Sequence, residues 1–140
     1  MAKHLLVPFD GSDQARGALA YALGEYPDAT ITTLHVVNPA EWGYGSTESG
    51  LGKRWYEEAH EESEQVRAEA TELADEHGRT VGTATEDGVP GETIATYVEA
   101  HDVDHVIIGS HGRSGPKRLL LGSVAETVAR GVPVPVTIIG

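Results

Sequence analysis

The chain has 140 residues, 22 of them acidic against 10 Lys and Arg, which gives a formal net charge of −12. Without cysteine there is no disulfide framework and no thiolate metal site, and the acidic balance repels phosphate backbones, which argues against a nucleic-acid partner. No signal-peptide core or long apolar span is present, so a soluble cytoplasmic protein with no membrane partner is expected.

The length suits a single domain spanning residues 1–140, long enough for a real core. Few lysines, many acids and many small residues fit a halophilic protein whose self-repulsion is screened by a high-salt cytoplasm. An ordinary acidic protein is the alternative.

The first apolar run, Lys3 to Phe9, reads as a strand, with Pro8 acceptable at its end. Asp10-Gly11-Ser12-Asp13 turns the chain into a helix with Ser12 as N-cap. Ala15, Ala18, Leu19, Ala22 and Leu23 give that helix one apolar face of small residues, and Gly24 and Pro27 end it. Thr30 to Val37 is the second strand; within it His35 reads as a packed histidine rather than a ligand. Asn38 to Gly50 is a loop by composition. Its Trp42 and Tyr44 either fold over a ligand or pack on the protein or another subunit, and packing is the simpler account.

Leu51 to His77 predicts a long helix, with Leu51, Trp55, Ala59, Val66, Ala70, Leu73 and Ala74 on its apolar side. The acids opposite read as a solvated face, since nothing in their spacing makes them converge on a metal. Gly78 caps this helix. Thr80 to Glu86 is a weak Thr-rich strand suited to a sheet edge; Gly88-Val-Pro-Gly91 is a turn, with Pro90 just ahead of a helix whose inner face carries Ile94, Tyr97, Val98 and His101 and which ends near Asp102. His105 to Ile108 is the fourth strand. Val132 to Ile139 is the fifth.

Between these last two strands lies the segment on which function turns. Gly109 and Gly112 bracket Ser110 and His111, and nine residues after Gly112 come Gly122 and Ser123, followed by apolar residues at helical spacing. Ser123 and Glu126 fit a capping box, which predicts a helix start there. A strand, a glycine-rich loop and a helix N-terminus together expose backbone N–H groups to an anion, and the helix dipole adds about half a positive charge. On this reading a Cβ at the glycines blocks the approach of phosphates or a φ > 0 turn. The plain alternative is that they only turn a strand into a helix. The spacing is neither a Walker A loop nor a dinucleotide fingerprint, and no Gly-x-Ser-x-Gly elbow occurs.

Strand and helix alternate throughout, which predicts an α/β fold: an open five-stranded parallel sheet, Rossmann-like, with helices on both faces. The Gly-x2-Gly-x9-Gly-Ser spacing, with Pro8-Phe9-Asp10 after the first strand, resembles the ATP-binding branch of the universal stress protein family over nearly the whole chain. With the crossover rule, the resemblance implies strand order 3-2-1-4-5. Asp10 and the glycine loop then end the two strands at the switch point and share one crevice. On composition alone Asp10 reads first as a turn residue.

The resemblance further implies a set of nucleotide-binding residues: Pro8, Phe9, Asp10, Val36 (through its backbone, to the adenine edge), Ile108, Gly109, His111, Gly112, Arg113, Gly122, Ser123 and Val124. The implied ligand is ATP; a Mg²⁺ on its phosphates, with Asp10 helping to hold it, is a chemical option that the spacing alone does not establish. The implied assembly is a homodimer through Val132 to Ile139, a strand that Pro135 interrupts. No catalytic or metal-ligating set is assigned, because His111, Ser123 and Arg113 lack an evident partner to orient them. The function implied is an ATP-binding stress-response regulator, at most a slow ATPase. A phosphohydrolase or nucleotidyl transferase using the same crevice, and a nucleotide-free dimeric scaffold, are the alternatives.

Overall fold

The computed structural model describes residues 3–39, 51–111 and 121–140, with the backbone alone for 51–55. Its elements alternate: β1 (His4–Pro8), α1 (Asp13–Glu25), β2 (Thr30–Val37), α2 (Leu51–Glu76), β3 (Gly82–Asp87), α3 (Pro90–Ala100), β4 (His105–Gly109), α4 (Ser123–Gly131) and β5 (Val136–Ile139). All neighbouring strands are parallel, and their order is β3-β2-β1-β4-β5, as the sequence leads one to expect.

The central strands β1 and β4 explain why Leu5 to Val7 and Val106 to Ile108 are unbroken apolar runs. Leu5, Val7 and Ile107 face one way, into a cluster with Ala15, Ala18, Leu19 and Ala22 of α1 and Val66 and Ala70 of α2. Leu6, Val106 and Ile108 face the other way, against Ile94 and Val98 of α3 and Ala125 and Val128 of α4. With both faces covered, the polar half of the strand alternation disappears. Each Leu or Ile fully withdrawn from water contributes about 1.5–3 kcal/mol.

Several element ends differ from the sequence expectation, each for a local reason. Ser12 caps α1 as expected, accepting the Ala15 N–H at 3.2 Å. The helix nevertheless runs through Gly24 to Glu25, because the residue before Pro27 is the one barred from helical geometry, and Tyr26 sits at φ −126°, ψ 68°. β3 begins at Gly82 rather than Thr80 and ends at Asp87. β5 begins at Val136, not Val132, because Pro133 and Pro135 supply no ladder donors; the Pro135 carbonyl still accepts Val106 N–H at 3.0 Å. His101 is exposed rather than on the inner face of α3, and its ring stacks on Tyr97 at 3.8 Å between centroids.

At the end of the sheet where β2 starts, Arg79 closes the structure. Its Nη1 donates to the carbonyls of Leu23 and Tyr26, both at 2.9 Å, and its Nη2 to that of Ala29 at 2.7 Å. One guanidinium thus satisfies the end of α1 and the approach to β2 from the turn that follows α2.

His105, at the start of β4, is buried, with Nε2 2.8 Å from Thr137 Oγ1 and its ring edge-on to Tyr26. Burial pushes its pKa below the usual 6.5, and Lys3 acts in the same direction. The folded state therefore binds fewer protons than the unfolded chain, and this part of the stability is lost as pH falls through 6.5 toward the lowered folded value. His105→Gln, which keeps a partner for Thr137, is expected to flatten the fall in melting temperature between about pH 7 and pH 5. Equal slopes for parent and variant across that range would exclude it.

Candidate functional site

β1 and β4 are in register at Leu5–His105 and Leu6–Val106, and their ladder goes no further. The missing N–H of Pro8 therefore costs no ladder bond. Where the strands part, at the switch point of the sheet, a cavity of about 1110 Å³ opens. Pro8, Phe9, Asp10, Val36, Ile108, Gly109, His111, Gly122, Ser123 and Val124 all line it. The structure thus brings together residues separated by more than a hundred positions. Gly112 and Arg113 lie outside the described residues, as do Trp42, Tyr44 and the spacer residues Gly115 to Arg118.

The two sides of the crevice offer different groups. The Phe9 side chain is 2 % exposed and belongs to the core, so Phe9 presents backbone; its N–H donates to the Leu34 carbonyl at 2.9 Å. That bond fixes the parity of β2. Leu34 turns its amide and carbonyl toward β1, Val37 turns its carbonyl toward Gly88 at 2.9 Å, and Val36 again faces the β1 side, just beyond the end of that strand. Asp10 is half-buried and its Oδ1 accepts the Ser12 N–H at 3.0 Å, so it forms a turn and borders the crevice at once. His35 is packed as expected, with Nδ1 3.1 Å from Ser63 Oγ on α2, although it too borders the cavity.

On the other side, Ser110 ties the loop to its surroundings. Its N–H donates to the Ile139 carbonyl and its own carbonyl accepts Gly122 N–H, both at 2.7 Å. Gly122, not Ser123, is the N-cap of α4, at φ −66°, ψ 153° with no side-chain cap. The capping-box expectation fails because Glu126 pairs forward with Arg130 at 3.1 Å, and the Ser123 side chain is exposed. Glu126 N–H is the donor that reaches the Gly122 carbonyl, at 2.9 Å, so the amides of Ser123, Val124 and Ala125 precede the helical ladder at the cavity wall. His111 Nδ1 lies 3.1 Å from Ser110 Oγ, while its Nε2 is buried with no hydrogen-bond partner among the described residues.

Of the two reasons expected for the loop glycines, the φ > 0 turn does not hold at the described ones. Neither Gly109 nor Gly122 has a positive φ. A Cβ on Gly109 would lie 2.8 Å from the Gln14 carbonyl carbon and 2.9 Å from its oxygen, and one on Gly122 would lie 2.6 Å from the Ser110 carbonyl oxygen. They allow backbone to press on backbone, which builds the crevice wall. Ser110 and the start of α3 (Val89 to Glu92) were not singled out from sequence, yet both line the cavity. Ser110 was hidden because only its neighbours fit the glycine spacing. The α3 residues arrive through topology, with no local motif.

The model of the universal stress protein family matches residues 1–140. The chain belongs to the universal stress protein family. It is 30 % identical to universal stress protein MJ0531 of Methanocaldococcus jannaschii over 140 residues, covering 98 % of this chain and 81 % of that protein. The solved structure of universal stress protein UspA from Lactobacillus plantarum superposes with a TM-score of 0.81 at 26 % identity, covering 99 % of this chain and 97 % of that one. A family structure from Archaeoglobus fulgidus in complex with dAMP shares the fold with a TM-score of 0.71 at 19 % identity, covering 100 % and 98 %. Other structures of this fold are complexes with AMP, from Arabidopsis thaliana (18 % identity, TM-score 0.70, covering 98 % and 90 %), and with cAMP (23 %, 0.72, covering 99 % and 97 %).

Proposed function

We propose that the crevice binds an adenine nucleotide, ATP in the first instance, and that the protein acts as a nucleotide-responsive regulator in the stress response. The observation that carries this reading is the uncapped start of α4, whose first amides lie at the wall of the cavity opened where β1 and β4 part. In a chain of net charge −12, such local donors are what an anionic ligand needs. The dAMP, AMP and cAMP complexes of proteins with the same fold support the choice of an adenine nucleotide.

In this reading the amides of Ser123 and Val124 and the loop from Gly109 to Arg113 hold phosphates and ribose. The backbone of Val36 reads the adenine edge, and Pro8, Phe9, Asp10 and Ile108 complete the wall. Among the described residues no group of three His, Asp or Glu side chains is placed to hold a metal. Mg²⁺ would therefore be held by the phosphates together with the Asp10 carboxylate, where it would neutralise phosphate charge. Native mass spectrometry of the purified protein tests the reading. Co-purified ATP is expected; AMP or ADP in its place would point to turnover, and an empty site that also fails to take up added ATP would leave the scaffold reading.

The same proposal includes a homodimer and a high-salt setting. β5 is an edge strand with Ile138 exposed, and such an edge is a template for pairing that a closed two-fold dimer satisfies. Light scattering is expected to report a dimer or an even multiple; a monomer at micromolar concentration contradicts it. For the acidic surface, the expected result is a melting temperature that rises from low to molar KCl as carboxylate repulsion is screened. A flat or falling curve removes the halophilic reading.

A further inference from the structure

The turn that brings Asp10 to the crevice is fastened from two helices. Asp10 Oδ1 accepts the Ser12 N–H at 3.0 Å. The other end of the same peptide group, the Gly11 carbonyl, accepts Arg16 Nε–H at 3.3 Å. A trans peptide is planar, so holding its oxygen also sets the direction of its N–H. Arg16 is held in turn, with Nη2 3.0 Å from Glu69 Oε1 on α2. The second oxygen of that carboxylate lies 2.7 Å from the point where a Cβ would stand on Gly11, whose φ is +81°. A side chain at Gly11 is thus opposed twice, by backbone conformation and by Glu69.

Helix stability does not account for Arg16. In the first turns of α1 a cation opposes the helix dipole, and Asp13 is the residue that suits that end. The ion pair does not account for it either. Its side chains are 43 % and 41 % exposed, and a pair so open to water adds little to stability. What the guanidinium does is bridge Glu69 to a peptide group whose N–H orients the Asp10 carboxylate. Asp10 and Ser12 line the cavity, whereas Arg16 and Glu69 stand behind the turn.

We infer that Arg16, held by Glu69, is a positioning residue that aims the Asp10 carboxylate at the bound nucleotide through the Gly11–Ser12 peptide. The inference rests on the nucleotide reading above and adds two residues outside the crevice that set its affinity. It also ties the crevice to α2, which carries Glu69.

The test uses the full chain and separates aim from charge. Arg16→Met keeps the aliphatic stem and removes the guanidinium; Glu69→Ala removes the carboxylate at a helical position. Each is expected to weaken ATP binding about fivefold by calorimetry in the presence of Mg²⁺, the scale of a half-exposed ion pair. The sign at Glu69 is decisive. Removing a negative charge would by itself favour an anionic ligand, so weaker binding there reports lost positioning. Glu72→Ala removes the same charge from the exposed side of α2 and should bind within about twofold of the parent. Asp10→Asn keeps an acceptor for the Ser12 N–H but not the carboxylate. In that background Arg16→Met should change the affinity by less than about twofold, because both act through one group. In ¹⁵N spectra of the nucleotide-free protein, the Ser12 amide should move upfield and exchange faster in Arg16→Met than in the parent.

If the parent binds ATP and Glu69→Ala binds it equally or more tightly, the inference is overturned and the nucleotide reading stands. The same follows if Arg16→Met costs as much beside Asp10→Asn as alone, or leaves the Ser12 amide unmoved. A parent that takes up neither ATP nor AMP removes the nucleotide reading, and the positioning role goes with it.

Discussion

Gly122→Ala is expected to abolish ATP binding, with a loss of affinity of about a hundredfold or more, in a chain that keeps its far-UV spectrum. The new Cβ would stand 2.6 Å from the Ser110 carbonyl oxygen, a backbone atom that cannot swing aside. Either α4 or Ser110 must move, and the 2.7 Å bond between them is lost. Both form the wall on which the phosphates are proposed to sit, and a displacement of about 1 Å in a positioning framework costs on the order of a hundredfold. Gly131→Ala, at the far end of the same helix with nothing within 4 Å of its Cβ, is the control and should bind as the parent does. Calorimetric titration of the two variants decides it: parental affinity in folded Gly122→Ala would mean that this wall does not touch the ligand.

Gly109→Ala is expected to act on the fold itself, lowering stability by about 2–3 kcal/mol. Its Cβ would meet the Gln14 Cβ and carbonyl carbon, each at 2.8 Å, so α1 would have to lift from the end of β4. Leu19 and Ala18, which α1 buries completely, would lose contact with the sheet. Gly24→Ala, on the same helix, has open space at its Cβ and should gain about 0.5–1 kcal/mol through propensity alone. Urea denaturation of both variants separates crowding from propensity. A loss below about 0.5 kcal/mol at Gly109 would show that the contact relaxes without strain.

The parts of this fold that sequence reveals are those set by local chemistry or by burial on both faces. The continuous apolar run at Val106 to Ile108, the alanines of α1 and the Ser12 cap each carry their meaning within a few residues. The strand order needed the crossover rule and the resemblance as well, and the sheet has that order. What stayed hidden depends on competition between neighbours. Ser123 and Glu126 have the spacing of a capping box, but Gly122 precedes them in an extended conformation and Arg130 takes the glutamate. Val132 and Val134 look like strand, but the prolines beside them withhold the ladder. The α3 start reaches the crevice through tertiary packing, with Gly91 against Thr127, two residues with no common motif. Ser110 reveals its importance only once Ile139 and Gly122 are seen on either side of it.

Arg79 bears on how such an acidic protein tolerates changing ionic strength. Exposed ion pairs such as Arg16–Glu69 at 3.0 Å and Arg130–Glu126 at 3.1 Å weaken as counterions accumulate around both partners. Arg79 spends its charge on three peptide carbonyls instead. These partners carry no net charge for a salt cation to neutralise, and their bonds act only at short range. The latch across α1, β2 and the end of α2 therefore holds at low and at high salt alike. Ionic strength is left to act on the acidic surface and on whatever anion enters at the opposite end of the sheet.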